Sequence, residues 1–435
     1  MSLSKSYLSE HFQMPSSILA EVTSKLSAEL DEERNEAIEE QLKALGDSPQ
    51  LLTTVLSPYF TTRMPSVPAS YRQVKLATAV GYRVISFGQC GLVFERPGTD
   101  YVVKVAKPAY EGGLWADFRA HFRTRQAFEK EGDTECRVPK IYSYVPKRNN
   151  RWWNENRLFF YDVHQSLVLP SNSLITERIL PLPKVARQAL INKYCPPQLR
   201  HNANTNPTNR DCLARIYLGR RRPINAPLSP NFTLRNYNLT LDQIVDLGIP
   251  ALSFAAAMGE ALAIIHWAAN VDAYDIEFVL GSEGDTTYSQ GITFALNLTT
   301  EQISAMEPDT DIESLISIKC KQRTARMWVL DFNLCNVWEE KAGWESPEIL
   351  IPHLVEAFFE NDPYYPLPLM EHDLEKELWE TFSSKYLDKG SHILSAPGKE
   401  SRLANLPRMF IDACVQREGT NLSNNLEHGH REFKG

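Results

Sequence analysis

Lys104 stands inside an apolar run, Tyr101-Val-Val-Lys-Val-Ala106, where a cation needs an anionic partner. Strand alternation puts it on the face of Val102, opposite Val103 and Val105. Asp272 directly follows a long apolar run, and Asp331 lies within Val329-Leu-Asp-Phe-Asn333. Glu277 opens the short apolar run Phe278-Val-Leu280. Buried carboxylates require compensation. Two acids converging beside a lysine supply what a metal–nucleotide site demands: oxygen ligands for Mg²⁺ or Mn²⁺ and a cation for the phosphates. The competing readings are aspartates favoured at strand-to-loop turns and a lysine that protects a sheet edge. Upstream, the turn Ser86-Phe-Gly88-Gln-Cys-Gly91-Leu-Val93 has two glycines, Gly88 and Gly91, that let backbone N–H groups approach phosphate oxygens. The same pattern also makes an ordinary hairpin.

These residues need a scaffold. RVISFG, CGLVFER and YVVKVAKP, the last two separated by a PGTD turn, read as three consecutive antiparallel strands. Trp115 to Glu131 reads as a helix with Phe118, Phe122 and Phe128 on one face, stopping at Gly132. Glu129 is the expected partner of Lys104 across the sheet, with Glu131 as the alternative. Strand candidates in VPKIYSYVP, RLFFYDV and SLITERIL complete a small α+β unit of five strands and one helix.

Ahead of it, Ser16 to Leu45 has helical spacing of Ile18, Leu19, Val22, Leu26, Leu30 and Ala37, an amphipathic arm expected to pack on its own chain. A Pro/Ser-rich stretch, Pro65 to Ser70, separates the two. Pro181 to Pro230 lacks periodicity and suits a hinge followed by an irregular entry into a second region. There, ALSFAAAMGEALAIIHWAANV is apolar enough for a core helix, MWVLDFNLC is an apolar strand, and LVEAFFENDPYYP begins a helical cap. Asp362, Tyr364 and Tyr365 in that cap are read chiefly as packing residues. The expected division is a helical arm over 1–70, a sheet-rich unit over 71–180, a helical unit over 181–417 with an insertion at 282–326, and a disordered tail over 418–435.

The net charge of −8, from 54 acidic and 46 basic residues, gives no global attraction to nucleic acid or anionic membrane. The one tight basic cluster, Arg220-Arg221-Arg222, reads as a solvated loop. Seven scattered cysteines with no CxxC pair supply neither a zinc-finger ligand set nor a disulfide framework. A reducing compartment follows as the expectation, the cytoplasm first and the nucleus second. No run approaches the ~18 apolar residues of a membrane span, and oligomeric state is not legible.

The order of these residues resembles the protein-kinase-like superfamily, closest to its aminoglycoside- and choline-kinase-like branch, over about Tyr82 to Asn336. The resemblance implies a two-lobed fold, a small antiparallel-sheet lobe followed by a mostly helical one. It implies ATP with Mg²⁺ or Mn²⁺ as cofactors and a small-molecule or protein hydroxyl as acceptor. Ser86 to Val93 would then be the glycine loop, and Lys104 would hold the α- and β-phosphates. Asp272 would accept the substrate proton, and Asp331, with Glu277, would hold the metal. Thr176 to Ile179 would be the hinge meeting the adenine, through Glu177 and Ile179. Motif positions also depart from that family: Ser86 for the first loop glycine, Glu277 for the catalytic-loop asparagine, and Asn333 for the glycine after the metal aspartate. Such departures are equally those of a catalytically silent kinase-like module that binds a partner. MWVLDFNLCNVW and FFENDPYYPLP also resemble a family of fungal proteins often labelled zinc finger proteins, a resemblance that carries no activity with it.

Overall fold

The computed structural model describes residues 15–43, 61–63, 80–132, 134–161, 165–223, 226–284, 322–399 and 401–428. The chain is α+β, with two sheets and, among the described residues, eleven α-helices. The Pro65 to Ser70 linker and the middle of the expected insertion lie outside the described residues.

Helix α1 (Ser16–Lys43) buries Leu19, Leu26 and Leu30, while Ile18 and Val22 face solvent. It is tied to its own chain: Gly81 N–H donates to Thr23 Oγ1 (2.9 Å), and Arg187 pairs with Asp31 (2.8 Å). Strand β1 (Thr61–Arg63) joins the second sheet.

The first sheet contains β2 (Arg83–Phe87), β3 (Gly91–Glu95) and β4 (Tyr101–Ala106), the three strands marked by the sequence. Alternation holds along β4: Val103 and Val105 are fully buried behind the sheet, and Val102 and Lys104 face the other way. Gly91 is required here, because a Cβ would sit 2.5 Å from the Val105 carbonyl oxygen of the neighbouring strand. Helix α2 (Glu111–Glu131) follows, then β5 (Cys136–Arg137), β6 (Ile141–Val145), the short α3 (Asn150–Asn156) and β7 (Ser173–Glu177). The sheet order is β2-β3-β4-β7-β6, antiparallel throughout. The described part of RLFFYDV, residues 157–161, contributes no strand, and its last two residues lie outside the described residues. Arg157–Phe159 is a 3₁₀ turn, and Phe160 stacks on Tyr82 (4.2 Å) and meets Phe94 edge-on. Burying rings under the sheet stabilises this segment without ladder pairing. On α2, Phe128 is buried but Phe122 is exposed, so the three phenylalanines do not share one inward face.

Pro181 to Pro230 is more regular than its composition suggests. It holds α4 (Lys184–Tyr194), α5 (Arg200–Thr205) and β8 (Ala214–Tyr217). Ala186, Leu190, Ile191 and Tyr194 carry a helical stripe into the core, a signal masked by flanking prolines and asparagines. Strand β9 (Tyr237–Thr240), α6 (Leu241–Asp246) and α7 (Ala251–Trp267) follow. Then come β10 (Glu277–Gly284) and β11 (Gln322–Leu330), whose ends take up both margins of the expected insertion. The second sheet runs β1-β11-β10-β8-β9, with β5 also pairing β11. An isolated bridge between Leu180 and Ser282 links the segment after β7 to β10.

Helices α8 (Glu340–Glu345), α9 (Pro347–Glu360), α10 (Asp373–Leu394) and α11 (Leu406–His428) complete the fold. Helix α7 is apolar nearly all round and lies in the centre of the core. Gly259 lets it cross α10 closely, since a Cβ would stand 2.3 Å from the Phe382 carbonyl. The tail expected to be disordered from Glu418 remains helical to His428: Phe410, Ile411 and Cys414 anchor α11, and propagation adds polar residues beyond the packed turns. Residues 429–435 lie outside the described residues. Among the described residues no helix is long and apolar enough to cross a membrane.

A buried histidine at the end of α7 makes stability depend on pH. Burial holds His266 down from 6.5 to about 3, and its Nδ1 shares a hydrogen bond with Tyr386 Oη (2.8 Å). The depressed value means that the unfolded chain takes up a proton below about pH 6.5 while the folded chain does not. Stability is therefore full above that pH and falls as pH drops toward 3. Denaturant titrations at pH 7, 5.5 and 4.5 should show this loss, with a shallower pH slope for His266→Gln.

Candidate functional site

The two sheets face each other across a cavity of about 180 Å³. Ile85, Val93 and Val102 of the first sheet form one apolar wall, and Val279 and Leu330 of the second form part of the other. Such a slot suits a flat group sandwiched between aliphatic side chains. Its charged and titratable lining is Lys104, Asp117, His121, Glu177, Arg215, Glu277 and Asp331, with Ser86, Thr176 and Asn236 as further polar residues.

Lys104 Nζ donates to Asp117 Oδ2 (2.6 Å) and to Asp331 Oδ1 (2.7 Å). Burial alone would lower its pKa, but these two carboxylates outweigh it and hold the ammonium well above its ordinary value. The partner supplied by α2 is therefore Asp117 and not Glu129. Glu129 lies more than three turns further along the helix, on its exposed face, paired with Arg125 (2.7 Å). Glu131 pairs with Lys389 (3.3 Å). Asp117 was legible only through its spacing, three residues after buried Leu114 and four before buried His121. Its second oxygen accepts from the backbone N–H of Phe332 (3.2 Å), so one carboxylate fixes both Lys104 and the Asp331 loop. His121 stacks on Phe332 (5.1 Å between centroids), and burial lowers its pKa.

Asp331 directly follows β11 in the left-handed region, at φ 63°, a conformation costly for a non-glycine residue. Asn270, Ala273 and Asp275 in the loop between α7 and β10 are also left-handed, as is cavity-lining Asn236, so five of the seven such non-glycine residues among those described flank this site. Clustered backbone strain of this kind marks sites where the surrounding structure dictates where a side chain points.

The loop's two aspartates differ sharply. Asp272 is 1 % exposed, and its carboxylate accepts from Tyr274 N–H (3.1 Å), Asn336 N–H (2.9 Å) and Asn336 Nδ2 (2.9 Å) and pairs with His353 Nε2 (2.9 Å). It does not line the cavity. Asp275 is exposed, and no hydrogen bond engages its carboxylate among the described residues. Burial of part of the group and the nearby charges of Asp331 and Asp362 raise its pKa, with Arg215 opposing them.

Glu277 does line the cavity, but Arg215 engages it directly. Burial pushes its carboxyl up to about 7 against the pull of Arg215. Arg215 also reaches Asp362 (3.2 Å), which accepts from Tyr217 Oη (2.7 Å). This long-range arginine, missed in the sequence, sits in the segment read there as irregular.

Gly88 lines the cavity, and its carbonyl accepts from Lys107 Nζ (2.7 Å). Gly91 does not line it. Asn333 Nδ2 donates to Cys90 Sγ (3.2 Å), joining the glycine turn to the Asp331 loop. At the far end, Glu177 and Ile179 border the cavity. Arg178 N–H donates to the Asp100 carbonyl and Leu180 N–H to that of Ser282. Ile179, between them, makes no backbone–backbone hydrogen bond among the described residues, so its N–H and C=O are open to water or a ligand.

A larger groove of about 1010 Å³ opens beside this cavity, with Asp362 in its lining. The basic cluster contributes to it and is no freely solvated loop, because Arg221 pairs with Glu375 (2.6 Å) and Arg222 with Asp242 (2.9 Å). Among the described residues no three His, Cys, Asp or Glu side chains gather as a protein-only metal cage.

A family profile described as zinc finger protein matches residues 327–398. That segment includes Asp331, His353 and Asp362. Comparison with curated proteins and with solved structures returned no match.

Proposed function

We propose that the chain is a two-lobed, protein-kinase-like protein that binds ATP between its sheets and transfers a phosphoryl group to the hydroxyl of a small molecule or protein. The observation that carries this reading is the cavity-lining Lys104 held between Asp117 and Asp331, one carboxylate fixing the lysine and the other following β11 on a left-handed backbone. The adenine enters between the aliphatic walls, with its hydrogen-bonding edge at the unengaged backbone of Ile179. Lys104 meets the phosphates, and the turn at Gly88 covers them.

Asp331 and Glu277 are hard oxygen donors that fit Mg²⁺ or Mn²⁺, and a nucleotide-bound Mg²⁺ needs only one or two protein carboxylates. When bound there, the metal would supply charge neutralisation to the phosphates. The acceptor oxygen bonds to the terminal phosphorus as the bridging P–O bond to ADP breaks, and the hydroxyl proton passes to a carboxylate. Asp275 suits that step better than Asp272, whose four partners leave it nothing to offer a substrate. Asp272 then acts as a positioning residue, clamping the loop of Asp275 to Asn336.

Paired variants test this. Asp275→Asn should bind ATP as the parent does and turn it over about a hundredfold more slowly. Asp272→Ala should instead lower the melting temperature sharply, because it orphans two buried backbone donors. A normal turnover rate in Asp275→Asn removes it as the proton acceptor. A second reading, nucleotide binding without transfer, is favoured by one observation: Arg215 occupies Glu277, the second metal carboxylate. Mg²⁺-dependent ATP binding with no product formed in any acceptor screen would select it. For the zinc-finger description, no cysteine pair at zinc-ligand spacing exists in the sequence.

A further inference from the structure

The side of α2 turned away from the cavity is both aromatic and basic. Arg119 falls four residues after Trp115, with Phe122 and Arg123 three and four residues beyond it, so the four share one outward face. Trp115 and Phe122 are 46 % and 45 % exposed, large values for such side chains. Half-buried Phe118 lies between them, with ring centroids 5.2 Å from Trp115 and 6.0 Å from Phe122. Tyr144 of β6 meets Trp115 edge-on at 5.0 Å, and exposed Tyr142 extends the surface along the same strand.

The charges point one way. Arg119 and Arg123 have no carboxylate partner among the described residues, and the acids nearby are already engaged. Lys147 holds Glu111 (2.9 Å), and Arg125 holds Glu129 (2.7 Å). In a chain of net charge −8, this is a local patch of opposite sign to the whole.

We propose that this face of α2 docks an acidic protein segment bearing aromatic or aliphatic anchors. Carboxylates of the partner pair with Arg119 and Arg123, which offer bidentate geometry. Its apolar side chains cover Trp115, Phe122 and Tyr144, the residue types that dominate binding energy at protein interfaces. A single nucleic-acid strand would need aromatic faces free for stacking. Here Trp115 and Tyr144 pack edge to face at 73°. The same turns of α2 carry Asp117 and His121 on the inner side, so an occupant bears on the helix that holds Lys104. The docking itself does not depend on the nucleotide reading.

The test is selection of an unbiased displayed peptide library against the whole chain, followed by fluorescence anisotropy of labelled winning peptides. Winners should be rich in Asp and Glu and carry aromatic or aliphatic residues. Their affinity should fall about tenfold or more in the double variants Arg119→Glu/Arg123→Glu and Trp115→Ala/Phe122→Ala. Changing the acids of a winning peptide to lysine should restore its binding to the charge-reversed variant. All four positions are surface-facing, so both variants should melt at the parent temperature. Winners without acidic excess, or equal affinity for parent and variants, would overturn the proposal. So would labelled oligothymidylate or a second copy of the chain binding through these residues in place of the peptides.

Discussion

Asp331→Asn is expected to reduce ATP turnover roughly a hundredfold to a thousandfold while leaving the fold intact, the range seen when one preorganised electrostatic group is removed from a site. Asparagine is the informative substitution. It tolerates the left-handed backbone at this position better than most residues, keeps an oxygen for Lys104, and removes only the charge. Lys104 retains Asp117, so no cation is left buried without an anion. Phosphate release under single-turnover conditions, measured beside the melting temperature, separates the two effects. Undiminished turnover would show that Asp331 holds no metal, and a collapsed melting temperature would show that its role is structural.

The largest effect on stability is expected at Glu95, two residues beyond cavity-lining Val93 on β3. Its buried carboxylate engages Arg83 and Arg178 and accepts from Ser27 Oγ of α1 (3.1 Å). Arg83 in turn makes a two-pronged contact with Asp211 (2.6 and 2.7 Å). One carboxylate thus joins the helical arm, the first sheet, the segment after β7 and the loop before β8. Removing one partner of a buried ionic network typically costs about 3–5 kcal/mol, because the other charges remain desolvated. Glu95→Ala should therefore unfold at much lower denaturant, and α1 should become sensitive to protease. Glu95→Gln should lose somewhat less, since an amide still accepts from an arginine. A change below about 1 kcal/mol for Glu95→Ala, the scale of an exposed ion pair, would show that water reaches this network.

Much of the site was legible because polar residues inside apolar strands announce themselves. Lys104 and Asp331 were each identified from a single strand pattern, and they meet at 2.7 Å. Asp117 was not found because a charged residue in a helix ordinarily reads as surface. Only its register with Leu114 and His121 reveals that it is buried. Asp272 was read as buried, yet its compensation comes from Asn336 and His353, 64 and 81 residues away, distances over which one sequence carries no pairing information. Arg215 escaped for the same reason, its partner Glu277 lying 62 residues on.

The fold shows the same division. Short strands separated by glycine turns were read almost residue by residue, whereas α4 and the end of α11 were obscured by proline- or polar-rich surroundings that tertiary packing overrides. The described residues 157–161 of RLFFYDV failed in the opposite direction, since their aromatic content reads as strand while the Phe160 ring packs beneath the sheet.

The most direct test of the central claim is calorimetric titration of the whole chain with ATP, with and without Mg²⁺ or Mn²⁺, beside Lys104→Ala. The cavity between the sheets predicts metal-dependent binding in the parent and its loss in the variant. Absence of binding under all these conditions, or equal binding by the variant, would contradict a nucleotide site built on Lys104.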